Sequence, residues 1–138
     1  MPSFLSPLLR NPSGAYRLIN ERTGDVVAHQ LLAAFDSKAR RTGLLDHGSL
    51  PAGTAMIIAP TNAIHTFFMK FPIDVLFVAK DGVVVKTRGA LPPWRMSGAW
   101  RAHAVIELAA GALQRSPVRA DDRLNVVLFE NQAVTSRG

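Results

Sequence analysis

No cysteine occurs in these 138 residues. A disulfide scaffold, a thiolate zinc site and a cysteine nucleophile are therefore excluded. Charge is sparse: 19% of the chain is Asp, Glu, Lys or Arg, below the usual share of about 25%. No apolar run approaches the ~20 residues of a membrane-spanning helix. No basic run resembles a nucleic-acid-binding arm or a polybasic anchor, since Arg40–Arg41 is the one adjacent basic pair. HExxH, GxSxG, the P-loop and GxGxxG are all missing, and no cofactor is expected. His29, His47 and His103 show no metal-ligand spacing, so no metal site is expected either.

What the chain does hold is ample apolar material, 48% of its residues, in a length that suits one domain. Residues 1–15 carry Pro2, Pro7 and Pro12 beside Ser13 and Gly14 and are expected to be irregular. Phe4 to Leu9 is short, is broken by Ser6 and Pro7, and has no basic residue before it, unlike a secretory leader. As written, the chain is expected in the cytoplasm; an extracytoplasmic home would follow if a leader had been removed. Residues 16–138 read as a single β-rich domain. Tyr16–Asn20 and Val26–Leu31 flank a turn in which Gly24 permits φ > 0. Ala55–Ala59, Ile64–Met69, Ile73–Ala79, Val83–Arg88, Ala104–Ala109 and Leu124–Phe129 are further strand candidates. Lys80-Asp81-Gly82 reads as a hairpin turn, residues 91–98 as a loop, and Gly111–Arg115 as one helical turn. Asp36 to Leu45 is the best helix candidate, with Asp36 or Ser37 as its cap and Gly43 at its end. Short strands at even spacing predict a mainly β fold: a compact β-sandwich or barrel-like domain with one short helix packed on it.

Two carboxylates break the apolar pattern. In Ile73–Ala79 both alternating faces are apolar, which marks a strand covered on both sides, and Asp74 opens one of them. An unpaired buried carboxylate costs several kcal/mol. Asp74 must therefore take backbone amides, pair with a cation or sit at the rim. Pro72 cannot join a ladder and places Asp74 near a strand start, where it can tie down a neighbouring loop. Glu107, one of three glutamates, shares its face with Val105 and Ala109. A structural ion pair is its expected state, from a supply comprising Arg40, Arg41, Arg88, Arg95 and Arg101. His65 shares parity with Phe67, Met69 and Phe71, which favours a hydrogen-bonded core histidine over a ligand. Trp94 and Arg95 could wall a pocket or, equally, plug one end of the fold.

The runs RRTGLL, HTFFMKFPIDVLFVAKDGVVV, AVIELAAG and ADDRL, in this order, resemble the family catalogued as domain of unknown function 192, over roughly Ala34 to Val127. Arg41, Gly43, Leu44, Met69, Pro72, Asp74, Gly82, Glu107, Gly111 and Leu124 fall on its motif positions. The resemblance implies a compact β-sandwich or barrel-like prokaryotic protein and no defined activity. The chain departs from the family in two ways. Asp121-Asp122 stands where the family usually has Gly-Asp, which bears on the turn's geometry. Family members often carry a secretion signal, and none is evident here.

The leading functional expectation is a small binding module for a small-molecule or peptide ligand. Its polar site would lie at one rim of the sheet and comprise His65, Asp74, Trp94, Arg95 and Glu107, with Arg40 and Arg41 in structural polar roles. A hydrolase using His65 with Asp74 or Glu107 is the alternative, and would need those groups within about 2.6–3.2 Å or one water. Weak nucleic-acid binding through a basic surface is disfavoured, because the arginines are scattered in sequence and no stacking sheet is evident. The oligomeric state is not legible.

Overall fold

Turn-forming residues interrupt this chain every few positions, so its strands are short and its core depends on stacking sheets rather than on long elements. The computed structural model describes residues 3–36 and 50–129. Within them lie β1 (Tyr16–Asn20), β2 (Val26–Ala28), β3 (Gln30–Ala34), β4 (Thr54–Ile58), β5 (Ala63–His65), β6 (Ile73–Val78), β7 (Val84–Leu91), β8 (Met96–Gly98), β9 (Ala104–Ala109) and β10 (Leu124–Leu128). Two short helices join them, α1 (Ser6–Arg10) and α2 (Ala112–Arg115). The sheet orders are β10-β1-β2, β3-β4-β9-β6-β7 and β5-β8. All pairs are antiparallel except β3 with β4. The helix expected over Asp36–Leu45 falls in the β3–β4 connection, with Arg40 and Arg41, and lies outside the described residues apart from Asp36.

The fold is mainly β and sandwich-like, as the spacing predicts. The five-stranded sheet is covered on both faces. On one, Leu76, Ile106 and Ile57 meet Leu18, Leu124 and Val126 of the three-stranded sheet. On the other, Val75, Phe77, Val105 and Met56 form a second cluster with Met69 and Leu50, against which Ile64 of the β5–β8 ribbon packs. Every residue of β6 is buried, which agrees with its two apolar faces. Gly82 has φ 95, and a Cβ there would press on the Leu124 carbonyl oxygen at 2.6 Å. The expected hairpin turn thus needs glycine on two counts.

Four local expectations change. The irregular start does not hold for residues 6–10: Pro7 sits in the first turn of α1, where its missing N–H costs nothing, and Leu5 and Leu8 enter the core. Val26–Leu31 splits at His29, whose N–H bonds the Gly53 carbonyl and passes the chain from one sheet to the next. Ile64–Met69 is strand only as far as His65. The segment read as a loop, residues 91–98, contains the end of β7 and all of β8.

A buried acid also closes the β1–β10 edge. Asp122 accepts from Arg22 Nε at 2.6 Å and Nη2 at 3.0 Å, from Asn20 Nδ2 at 2.9 Å and from the Arg119 amide at 3.0 Å. The Arg22 hydrogen bond, more than any other contact, holds the Asp122 carboxyl well below the usual carboxylate range, although burial opposes it. A depressed folded-state pKa adds stability above the unfolded value, about 3.9, and that stability is lost as pH falls towards the folded value. The stability gap between the parent and Asp122→Asn should therefore narrow as pH drops from 5 to 2 in urea titrations. A constant gap would mean that charge plays no part. The preceding Asp121 has φ 76. The turn keeps the left-handed geometry that glycine would favour, with an aspartate tolerating it.

Candidate functional site

The sequence candidates separate into three places. Asp74 is buried, and its carboxylate is filled by backbone donors: Oδ1 accepts from Ala90 at 2.8 Å, and Oδ2 from Gly111 at 3.1 Å and Leu113 at 3.0 Å. This is the loop-tying arrangement that Pro72 suggests. It joins β6 to the end of β7 and to the first turn of α2, whose free amides need an acceptor.

Glu107 lies on the other face of the same sheet. In the β6–β9 register Asp74 stands opposite Leu108 and Glu107 opposite Val75. Glu107 thus points with Val75 and Val105 into the second cluster, and Asp74 points with Leu76 into the first. Among the described residues no hydrogen bond or ion pair reaches Glu107. The expected arginine pair is not found with Arg88, Arg95 or Arg101, while Arg40 and Arg41 lie outside the described residues. Burial pushes the Glu107 carboxyl up to about 8, so at neutral pH it is largely a neutral acid.

His65, Trp94 and Arg95 do come together, at the tip of the β5–β8 ribbon. His65 is exposed rather than a core histidine, and its Nδ1 accepts the Phe67 N–H at 3.3 Å. Phe67 bridges the tip: its ring lies 4.9 Å from that of His65 and 5.9 Å from that of Trp94. Phe68 meets Trp94 edge-on at 4.7 Å. Trp94 plugs nothing; it is 56% exposed, Phe68 68%, Met96 71% and Trp100 84%. Arg95 is also exposed, and among the described residues its guanidinium reaches the Trp94 carbonyl, at 3.4 Å.

Thr66 shapes this tip, and nothing in the sequence pattern singles it out. Fully buried, its hydroxyl donates to the Pro92 carbonyl at 2.7 Å and accepts from the Arg95 amide at 2.9 Å. Its own N–H bonds the Arg95 carbonyl, and its carbonyl takes the Met69 and Trp94 amides. One residue thus clamps two loops. The reversal puts Phe68 at φ 69 and Trp94 at φ 65. Left-handed backbone is costly for bulky residues, of order 1–3 kcal/mol each, and here it accompanies rings turned outward. The aromatic pair Phe67-Phe68 and the lone Trp100 were the available signals. Strand parity hides them, because the alternation ends at His65.

Among the described residues no group of three or more His, Asp and Glu converges as metal ligands would. No helix among them is long and apolar enough to cross a membrane. The model of DUF192, described as Uncharacterized ACR, matches residues 18–126. The chain belongs to this family. Two solved structures resemble this DUF192 protein. One is a Sinorhizobium meliloti 1021 protein provisionally named a transcription regulator, with 23% identity, 82% of this chain and 92% of that one covered, and a TM-score of 0.71. The other is a protein of unknown function from Novosphingobium aromaticivorans DSM 12444, with 18% identity, coverage of 80% and 83%, and a TM-score of 0.65. At these identities the likeness is one of fold. No curated protein matches the chain.

Proposed function

We propose that this DUF192 protein is a binding module whose working surface is the outer face of the β5–β8 ribbon and its tip. The observation that carries this reading is that Phe68, Trp94, Met96 and Trp100, each more than half exposed, lie on or within three residues of the ribbon's strands, with Phe68 and Trp94 in ring contact. Exposed apolar side chains concentrated in one region mark interaction sites. The left-handed backbone at Phe68 and Trp94 adds to the case, since stored strain gathers at functional positions. The expected polar site loses Asp74 and Glu107, which serve the interior, and keeps His65, Trp94 and Arg95. The hydrolase alternative loses support for the same reason: both Asp74 oxygens already accept backbone amides, and Glu107 is buried on the opposite face of the sheet.

The reading is tested by replacing Phe68 and Trp94 with glycine, which relieves the backbone and removes the rings. Each variant should unfold in urea within about 1 kcal/mol of the parent, because relief of left-handed strain offsets the lost ring contacts. In a thermal-shift screen with short peptides, oligonucleotides and metabolites, any compound that stabilises the parent should fail to stabilise the double variant. A loss of 2 kcal/mol or more per ring, or a ligand shift that survives both changes, would make the rings structural and end the proposal.

A further inference from the structure

Resting on that reading, we infer that the ribbon binds single-stranded nucleic acid, with bases on its aromatic face and phosphates along the β7 side. Lys86, Arg88, Arg95 and Arg101 fall within residues 86–101, and the β7–β8 segment brings them to the ribbon. Lys86 and Arg88 stand opposite Phe77 and Val75 in the β6–β7 register, so both project on the face that the ribbon covers. Two residues apart on a strand, they are spaced ~6.8 Å. Both reach across to β8: Lys86 Nζ donates to the Gly98 carbonyl at 2.9 Å and Arg88 Nη1 to Ser97 Oγ at 3.4 Å. Arg95 adds an exposed cation at the tip, beside Trp94. At the other end Lys86 and Arg101 line an open cleft of ≈ 230 Å³ with Trp100.

Among the described residues of this part of the chain, no free carboxylate is seen to face these cations. From Thr61 to His103 the carboxylates are Asp74 and Asp81. Asp74 is buried under its amides. Asp81 lies in the β6–β7 turn, where its Oδ1 takes the Val83 amide, at the opposite end of the hairpin from the ribbon tip. Beside the cations runs the apolar face. His65 pairs with Met96, Ile64 with Ser97 and Ala63 with Gly98, so the face that carries His65 and Met96 drops to small residues at Ala63 and Gly98. A charged groove beside exposed rings is the arrangement that holds single strands without sequence preference. Arginine supplies most of the row, and its fork suits phosphate oxygens.

The test uses fluorescence anisotropy of the full chain with labelled dT12 and rU12. Binding should weaken with NaCl, with a log–log slope of about −3 if four cations meet phosphates. Arg88→Gln with Arg95→Gln should halve that slope. Trp94→Gly and Trp100→Ala should each weaken binding about tenfold and leave the slope unchanged. A duplex of the same length should bind less well, because its bases are stacked away. No binding of either oligonucleotide at 50 mM NaCl, equal binding of duplex, or preference for phosphatidylserine vesicles would overturn the inference. If in any of those cases another partner still requires Phe68 and Trp94, the ribbon remains the binding surface and only its occupant changes. Oligonucleotide binding indifferent to all four substitutions would overturn both readings.

Discussion

Replacing Glu107 with glutamine should stabilise the protein at pH 8 and change it much less at pH 5. Glu107 is buried opposite Val75 on the covered face of the five-stranded sheet, and desolvation raises its carboxyl to about 8. In the unfolded chain a glutamate titrates near 4.3. Between those values the folded state holds a proton that the unfolded state has released, so stability falls as pH rises. The loss reaches about 1.4 kcal/mol per pH unit and levels off once the folded carboxyl itself ionises. It is fully absent only below the unfolded value. Glutamine matches the neutral acid in shape and does not titrate. Urea midpoints of the parent and Glu107→Gln should therefore diverge steadily from pH 5 to pH 8, by several kcal/mol at the top of the range. Parallel pH profiles would mean that Glu107 is ionised and paired, and the account of an isolated buried acid would fall.

The second large effect is expected at Asp74. Its oxygens accept three backbone amides, from Ala90, Gly111 and Leu113. Hydrogen bonds to a charged group contribute more than neutral ones, and each donor left buried without a partner adds its own desolvation cost. Asp74→Ala should destabilise the fold by about 3–5 kcal/mol, in the range found for breaking buried charged contacts. Asp74→Asn should cost less but not recover the parent. Its amide oxygen can keep one side of the arrangement, while its NH₂ faces a donor on the other. Equilibrium urea unfolding of both variants decides the point, and an alanine variant within 1 kcal/mol of the parent would remove Asp74 from the framework. The consequence for the ribbon follows from position. Ala90, at φ 49, precedes the segment that carries Trp94, so loosening Asp74 should also loosen one of the two loops that Thr66 clamps.

These two acids also show how far the residues alone could be read. Both were legible as carboxylates in apolar strands, and for Asp74 the amide-bound state was one of three that Pro72 and the cost of burial left open. Their relation to each other was not legible. A shift of one residue in the β6–β9 register would have placed both on the same face, as a shared polar site requires. The same holds for the ribbon. Period-two reading carries Ile64 through to Phe71 as one strand, whereas the Thr66 clamp stops it at His65, and the partners of that clamp lie 26 and 29 residues away at Pro92 and Arg95.

Local order in the chain was enough to determine most of the strands, the glycine turns at Gly24 and Gly82, the double-sided burial of β6 and the family's motif positions. Each depends on neighbours a few residues apart, where pleat and turn geometry act directly. Only the tertiary structure decided which faces the acids occupy, that Lys86 and Arg88 reach across to β8, and that Phe68, Trp94 and Trp100 stay outside. Those outcomes depend on which strands pair and in what register, and that choice is made by contacts between distant segments.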